Sequence, residues 1–291
     1  MKTQADKLQQ IVEENDLHPE DRGMKIVAIT SGKGGVGKST VGANIASMLA
    51  DEGYKVAIFD ADIGLANLDI IFNVKTQYDL LNVLEGECSI KDIVVPIKKN
   101  LLLIPGESGD EILRFDDKTI LERLQQEAEF LDALDYLIID TGAGIGENVQ
   151  LFLKAADEII VVTMPDPSAI TDAYATIKVA SRFNPHISMI INMVKNSSEG
   201  QIIYQNIKKV ADENLETPPD LTFLGAITQD SVVSKSTKYR KLFTQEYPNS
   251  VATFELREII QNLIYKLEHK VLALSPGKSF TVFVRRLIDN F

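Results

Sequence analysis

Residues 32–39 read GKGGVGKS and follow directly on the apolar run MKIVAIT at 24–30. This is the spacing of a phosphate-binding loop, G-x-x-x-x-G-K-[ST], between a strand and a helix. Glycines in such a loop let successive backbone N–H groups turn inward onto phosphate oxygens. Lys38 supplies a point charge for β- and γ-phosphates, and Ser39 offers a hydroxyl to Mg²⁺. The helix that follows presents its positive N-terminal end to the same anion.

Three further groups stand where such a ligand would need them. Asp60 closes the apolar run KVAIFD, and Asp62 follows two residues later. Asp140 closes YLIID and is followed by Thr141-Gly142-Ala143-Gly144. Carboxylates at the C-terminal tips of parallel strands lie where open α/β sheets bind ligands. A strand-tip aspartate there reaches Mg²⁺ through water.

The loop carries a second lysine, Lys33, that phosphate binding alone does not need. With it, KGGVGK resembles the deviant Walker A loop of the MinD/ParA family of ATPases. DADIGLANLD at 60–69 resembles that family's switch I, and DTGAG at 140–144 its switch II. The resemblance implies an Mg²⁺-dependent ATPase that dimerises around ATP, with Lys33 crossing to the partner's nucleotide. It implies that Gly32, Lys33, Gly34, Gly35, Val36, Gly37, Lys38, Ser39 and Thr40 hold the phosphates. Asn192 then reads adenine, and the loop GAITQD at 225–230, ending in Asp230, lines the base, although 227–229 lack the proline common in the family. Ser39, Asp60 and Asp140 belong to the metal shell. Asp62, Lys33 and Lys38 form the catalytic set, with Asp62 positioning the attacking water.

The elements that must position these groups are legible as alternating segments. Apolar runs at 25–30, 55–60, 101–105, 136–140, 158–163, 187–191 and 222–226 predict strands. Helical patterns at 39–51, 119–131, 168–182, 202–213 and 251–269 fall between or after them. Near-continuous apolar strands separated by helices predict an α/β fold: a mostly parallel twisted sheet with helices on both faces. With the loop's resemblance, the expected fold is that of a P-loop NTPase of the deviant Walker A (SIMIBI) type.

Composition bounds the rest. The chain has 291 residues, 45% of them hydrophobic, and a formal net charge of −12. This suits one large domain and argues against direct DNA binding, which needs clustered Lys and Arg. A single cysteine, Cys88, excludes an intrachain disulfide or a cysteine-pair metal site. There is no signal-peptide pattern and no apolar run of about 18 residues, so a cytoplasmic protein is expected.

Two appendages flank the predicted ATPase domain at 24–275. The tail, 276–291, places Phe280, Phe283, Val284, Leu287, Ile288 and Phe291 on one helical face, with Arg285 and Arg286 off it. The pattern fits an interfacial helix, docked on an anionic membrane when two tails are paired by dimerisation. MinD-group proteins carry such a helix, and the alternative is a terminal helix packed on the core. The leader, 1–23, with Gln4, Ala5 and Leu8, resembles the partner-binding segment of the FlhG (FleN, YlxH) group, MinD-like regulators of flagellar number. The resemblance implies an FlhF-like GTPase as partner. The rival readings are a division-site MinD, a ParA-type partition ATPase opposed by the net charge, and an iron–sulfur carrier opposed by the lone cysteine.

Overall fold

The computed structural model describes residues 23–62, 67–106, 127–269 and 279–289. Its core is an eight-stranded sheet in the order β3-β4-β2-β5-β1-β6-β7-β8. The strands are β1 (Lys25–Ser31), β2 (Val56–Ala61), β3 (Val95–Lys98), β4 (Leu101–Ile104), β5 (Tyr136–Ala143), β6 (Glu158–Thr163), β7 (His186–Val194) and β8 (Asp220–Thr228). All neighbours run parallel except β3 and β4. All seven sequence-predicted strands are present. The eighth, β3, reads VPIK, and its proline and short length suit an edge strand rather than a buried one.

In chain order the helices are α1 (Lys38–Asp51), α2 (Leu68–Phe72), α3 (Leu80–Leu84), α4 (Ile90–Ile93), α5 (Glu147–Ala155), α6 (Pro167–Ala180), α7 (Ser197–Asn214), α8 (Ser231–Lys238), α9 (Phe243–Glu246), α10 (Val251–His269) and α11 (Phe280–Asp289). Their starts follow local chemistry. Asp166 caps α6, accepting from Ala169 N, with Pro167 at the first position, and Asn196 caps α7 through Glu199 N. The apolar strands bury both faces. One core packs β1, β2 and β5 against α5 and α6, and the other packs α1 and α10 against the opposite face.

Two features of the sheet place the site. β1 lies between β5 and β6, so its loop leaves the centre of the C-terminal edge. β2 and β5 pair in register with Asp60 beside Asp140, which sets two carboxylates side by side at that edge.

The tail differs from the expected membrane face. In α11, Phe280, Phe283, Val284 and Leu287 are buried in the core that contains Phe59 and Phe152. Phe283 meets Phe59 edge-on at 6.4 Å between ring centroids and Phe280 at 5.6 Å. The helix packs on α5 and on the 3₁₀ turn Glu129–Leu131. Arg286 donates to the Ala155 carbonyl at 2.9 Å and to Asp157 Oδ1 at 3.0 Å, and Thr281 N donates to Asp132 at 3.2 Å. The apolar face expected to meet lipid is therefore covered by protein, because the groove beside α5 offers the same apolar surface without the need for a bilayer. The leader, residues 63–66 of the switch I string, most of the helix predicted at 119–131, residues 276–278 of the tail, the Ile288 side chain and Phe291 lie outside the described residues.

Candidate functional site

The loop at 32–37 bends from β1 into α1, and the packing around it is close. Gly37 has φ 89, and a Cβ there would stand 2.4 Å from Asn192 Nδ2. A Cβ on Gly32 would stand 2.3 Å from the backbone of Asp172 in α6. Only glycine fits either position, so the loop is pressed between α6 and the end of β7. Val36 is buried, and its carbonyl accepts from Asn192 Nδ2 at 2.8 Å. Gly34 and Gly35 have open space around them, and Ser39 and Thr40 lie in the first turn of α1.

Lys38 is almost fully buried, and its ammonium sits among acids. It lies 2.7 Å from Asp140 Oδ1, 3.7 Å from Asp62 Oδ2 and 3.4 Å from Ser39 Oγ. Burial pushes the Asp140 carboxyl above the usual carboxylate range, although the Lys38 charge pulls it back. Burial also drives Asp60 up to about 7, against the backbone N–H groups of Leu68, Asp62 and Asn67 that it accepts. The structure thus brings Lys38, Ser39, Asp62 and Asp140 together. It turns both Asp60 oxygens toward the switch I backbone, one step back from Lys38.

The residues present fit a divalent cation that arrives with phosphate. Asp140 Oδ2 is buried and has no hydrogen-bond partner. Such an orphaned carboxylate oxygen beside a serine hydroxyl is hard-oxygen chemistry of the kind Mg²⁺ takes. No cluster of three or more acidic, histidine or cysteine side chains could hold a metal among the described residues. The donor set is therefore incomplete without phosphate oxygens.

Lys33 points away from Lys38. Its ammonium binds Asp166 Oδ1 at 3.0 Å and Ser168 Oγ, at the start of α6, and it is 39% exposed. The Asp166 carboxyl is held well below the usual range, by Ser168 first, then by the Ala169 N–H and by Lys33. Sequence reasoning missed Asp166 and Ser168 as partners of Lys33. The string Asp166-Pro167-Ser168 signals a helix start, but nothing in it points across 133 residues to the loop.

The base end is only partly as expected. Asn192 is buried, and one N–H of its amide holds Val36 while its Oδ1 accepts from Met193 N at 2.9 Å. One N–H and one lone pair remain for a base. Asp230 caps α8 through Val232 N. In the same loop Thr228 is held by Glu255 of α10.

The chain is similar to known proteins. The ParA family model, described as NUBPL iron-transfer P-loop NTPase, matches residues 23–264. The iron-transfer part of that description meets only the one cysteine, Cys88. The flagellum site-determining protein YlxH of Helicobacter pylori is 44% identical over 91% of this chain and 90% of its own length. The antiactivator FleN of Pseudomonas aeruginosa is 32% identical over 94% of this chain and 95% of its own. The MinC:MinD cell division complex of Aquifex aeolicus superposes with a TM-score of 0.64 at 28% identity, covering 83% of this chain and 96% of that one. A phosphate loop with a second lysine, paired strand-tip aspartates and these similarities together make the chain a member of the MinD/ParA family of P-loop ATPases.

Proposed function

We propose that this chain is an Mg²⁺-dependent ATP-hydrolysing switch of the FlhG type, which dimerises on ATP and regulates flagellar number or placement. The observation that carries the reading is the convergence of Lys38, Ser39, Asp62 and Asp140 beside a glycine loop at the centre of the sheet edge. The loop N–H groups and Lys38 bind the phosphate chain, and Asn192 meets the base. Ser39 and Asp140 would hold Mg²⁺, which would neutralise charge on the terminal phosphates. Asp62 has one oxygen near Lys38 and the other facing Gly142, where it orients the attacking water.

Lys33 lies at the rim, held by an exposed pair rather than by its own phosphate cradle. It is free to exchange Asp166 for a partner subunit's nucleotide. The flagellar role follows the YlxH and FleN similarity, and the leader is its contact with an FlhF-like GTPase. Buried against α5 in the single subunit, α11 leaves its groove on dimerisation, and two tails together bind the cytoplasmic face of an anionic membrane.

The test is Asp62→Ala. Size-exclusion chromatography with Mg-ATP should show a persistent dimer, with hydrolysis near background. Normal turnover would remove Asp62 from the reaction. Deleting the gene and counting flagella and minicells separates the flagellar role from a division-site role.

A further inference from the structure

β7 does not run straight to its end. Its pairing with β8 slips between Asn192 and Val194, and the residue in the slip, Met193, has φ 57. A left-handed backbone at a bulky side chain is uncommon and persists only where surrounding contacts fix it. Here three hydrogen bonds do so. Met193 N donates to Asn192 Oδ1 at 2.9 Å, Asn192 Nδ2 donates to Val36 O at 2.8 Å, and Gln229 N donates to Val194 O at 2.8 Å. The effect is to turn one apolar side chain out of the sheet. Met193 is 38% exposed, while Asn192 and Val194 on either side are buried. Its Cε reaches the phosphate loop, 3.7 Å from where a Gly37 Cβ would stand.

We propose that Met193 is a base-contacting residue, whose thioether packs on one face of the purine while Asn192 meets its edge. The inference rests on the nucleotide-binding reading above. A polarizable thioether makes favourable contact with an aromatic ring, and its three rotatable bonds let it follow the ring plane. Every purine offers such a face. Met193 therefore adds affinity for the base as against the phosphate chain, and leaves the choice between adenine and guanine to Asn192.

The experiment measures affinity of the full chain for Mg-ATP, Mg-GTP and inorganic tripolyphosphate, in wild type, Met193→Leu and Met193→Gly. Glycine adopts φ 57 without strain, so Met193→Gly keeps the slip and should unfold no earlier than wild type. It should lose roughly two- to tenfold in affinity for ATP, the range of a single sulfur–aromatic contact. The same factor should appear for GTP, with tripolyphosphate unchanged. Met193→Leu should retain most of the ATP affinity. Unchanged ATP affinity in Met193→Gly overturns the inference alone. An equal loss for tripolyphosphate also overturns it, because Met193 would then be shaping the loop. A wild type that binds neither ATP nor tripolyphosphate removes the nucleotide reading and this inference with it.

Discussion

Lys38 Nζ lies 2.7 Å from Asp140 Oδ1, in a pair almost wholly removed from solvent. The cation that should hold the terminal phosphates is the counter-charge for the strand-tip carboxylate of Asp140. On the proposed reading, nucleotide entry is an exchange, in which phosphate oxygens replace Asp140 as the counter-charge of Lys38 and Asp140 would be left to hold the metal. A buried pair whose partners are both needed elsewhere is kept for function, since such pairs add little net stability.

Lys38→Ala should therefore do two things at once. ATP binding should disappear from calorimetry, because the fixed charge on the phosphates is gone. The nucleotide-free protein should also lose stability, by up to about 3–5 kcal/mol, because Asp140 is left buried and unpaired. A variant that binds ATP tightly sinks the phosphate-loop assignment. One that loses binding with an unchanged melting temperature would show that the Lys38–Asp140 pair carries no charge balance.

Asp60 gives a pH signature of defined sign. Its carboxyl titrates at about 7 in the folded chain, against the ordinary 3.8. Between those values the folded state holds the extra proton, so raising the pH through this window removes stability. Asp60→Asn removes that dependence. In the absence of nucleotide, the melting temperature of Asp60→Asn relative to wild type should move upward from pH 5 to pH 8. A constant difference across that range would mean that Asp60 ionises at its ordinary pKa.

The strands and the phosphate loop were legible because each is a local signal: an apolar run, a glycine spacing, an acid at a strand tip. Asp60 beside Asp140 was not, since register between strands 80 residues apart is set by the sheet and not by either string. The same holds for Lys33 with Asp166. Nothing in the string around Met193 marks it, and only the slip against β8 turns it outward. The tail shows the sharper limit. Its apolar stripe is the same whether it faces lipid or Phe59, so the sequence names the face and leaves its occupant open.

On the proposed reading, the contact between Lys33 and Asp166 is the one that dimerisation breaks. Both side chains are 39% exposed, which limits the pair to about 0.2–1 kcal/mol. Asp166→Asn removes the charge and keeps an effective cap for α6. It should lower the protein concentration at which ATP gives half-dimer by up to about thirtyfold, the factor equivalent to about 1 kcal/mol for each of the two pairs that a symmetric dimer breaks. Lys33→Ala should bind ATP near normally and form little dimer in size-exclusion chromatography. An ATP-dependent dimer of normal strength in Lys33→Ala would refute a cross-subunit role.

The tail separates three readings by two measurements. Phe283 is buried against Phe59 and Phe280, so Phe283→Glu places a charge in the core, a change of about 3–5 kcal/mol if the helix stays docked. Undocking α11 alone caps that cost, because a terminal helix can open without the rest of the fold. The more telling change lies off the helix. Asp157 holds Arg286 at 3.0 Å, and Asp157→Asn weakens the dock while leaving the tail sequence intact. If α11 alternates between groove and membrane, wild type should sediment with anionic liposomes only when ATP is present. Asp157→Asn should then sediment partly without ATP, and protease should cut its tail faster. Phe283→Glu should fail to sediment under any condition, since the apolar face is broken for lipid as well. A helix that serves only the core gives another pattern: wild type ignores liposomes at saturating ATP, and Asp157→Asn only lowers the melting temperature. A helix that serves only the membrane gives a third, in which neither Asp157→Asn nor Phe283→Glu changes the melting temperature, and the packing of Phe283 on Phe59 contributes nothing measurable.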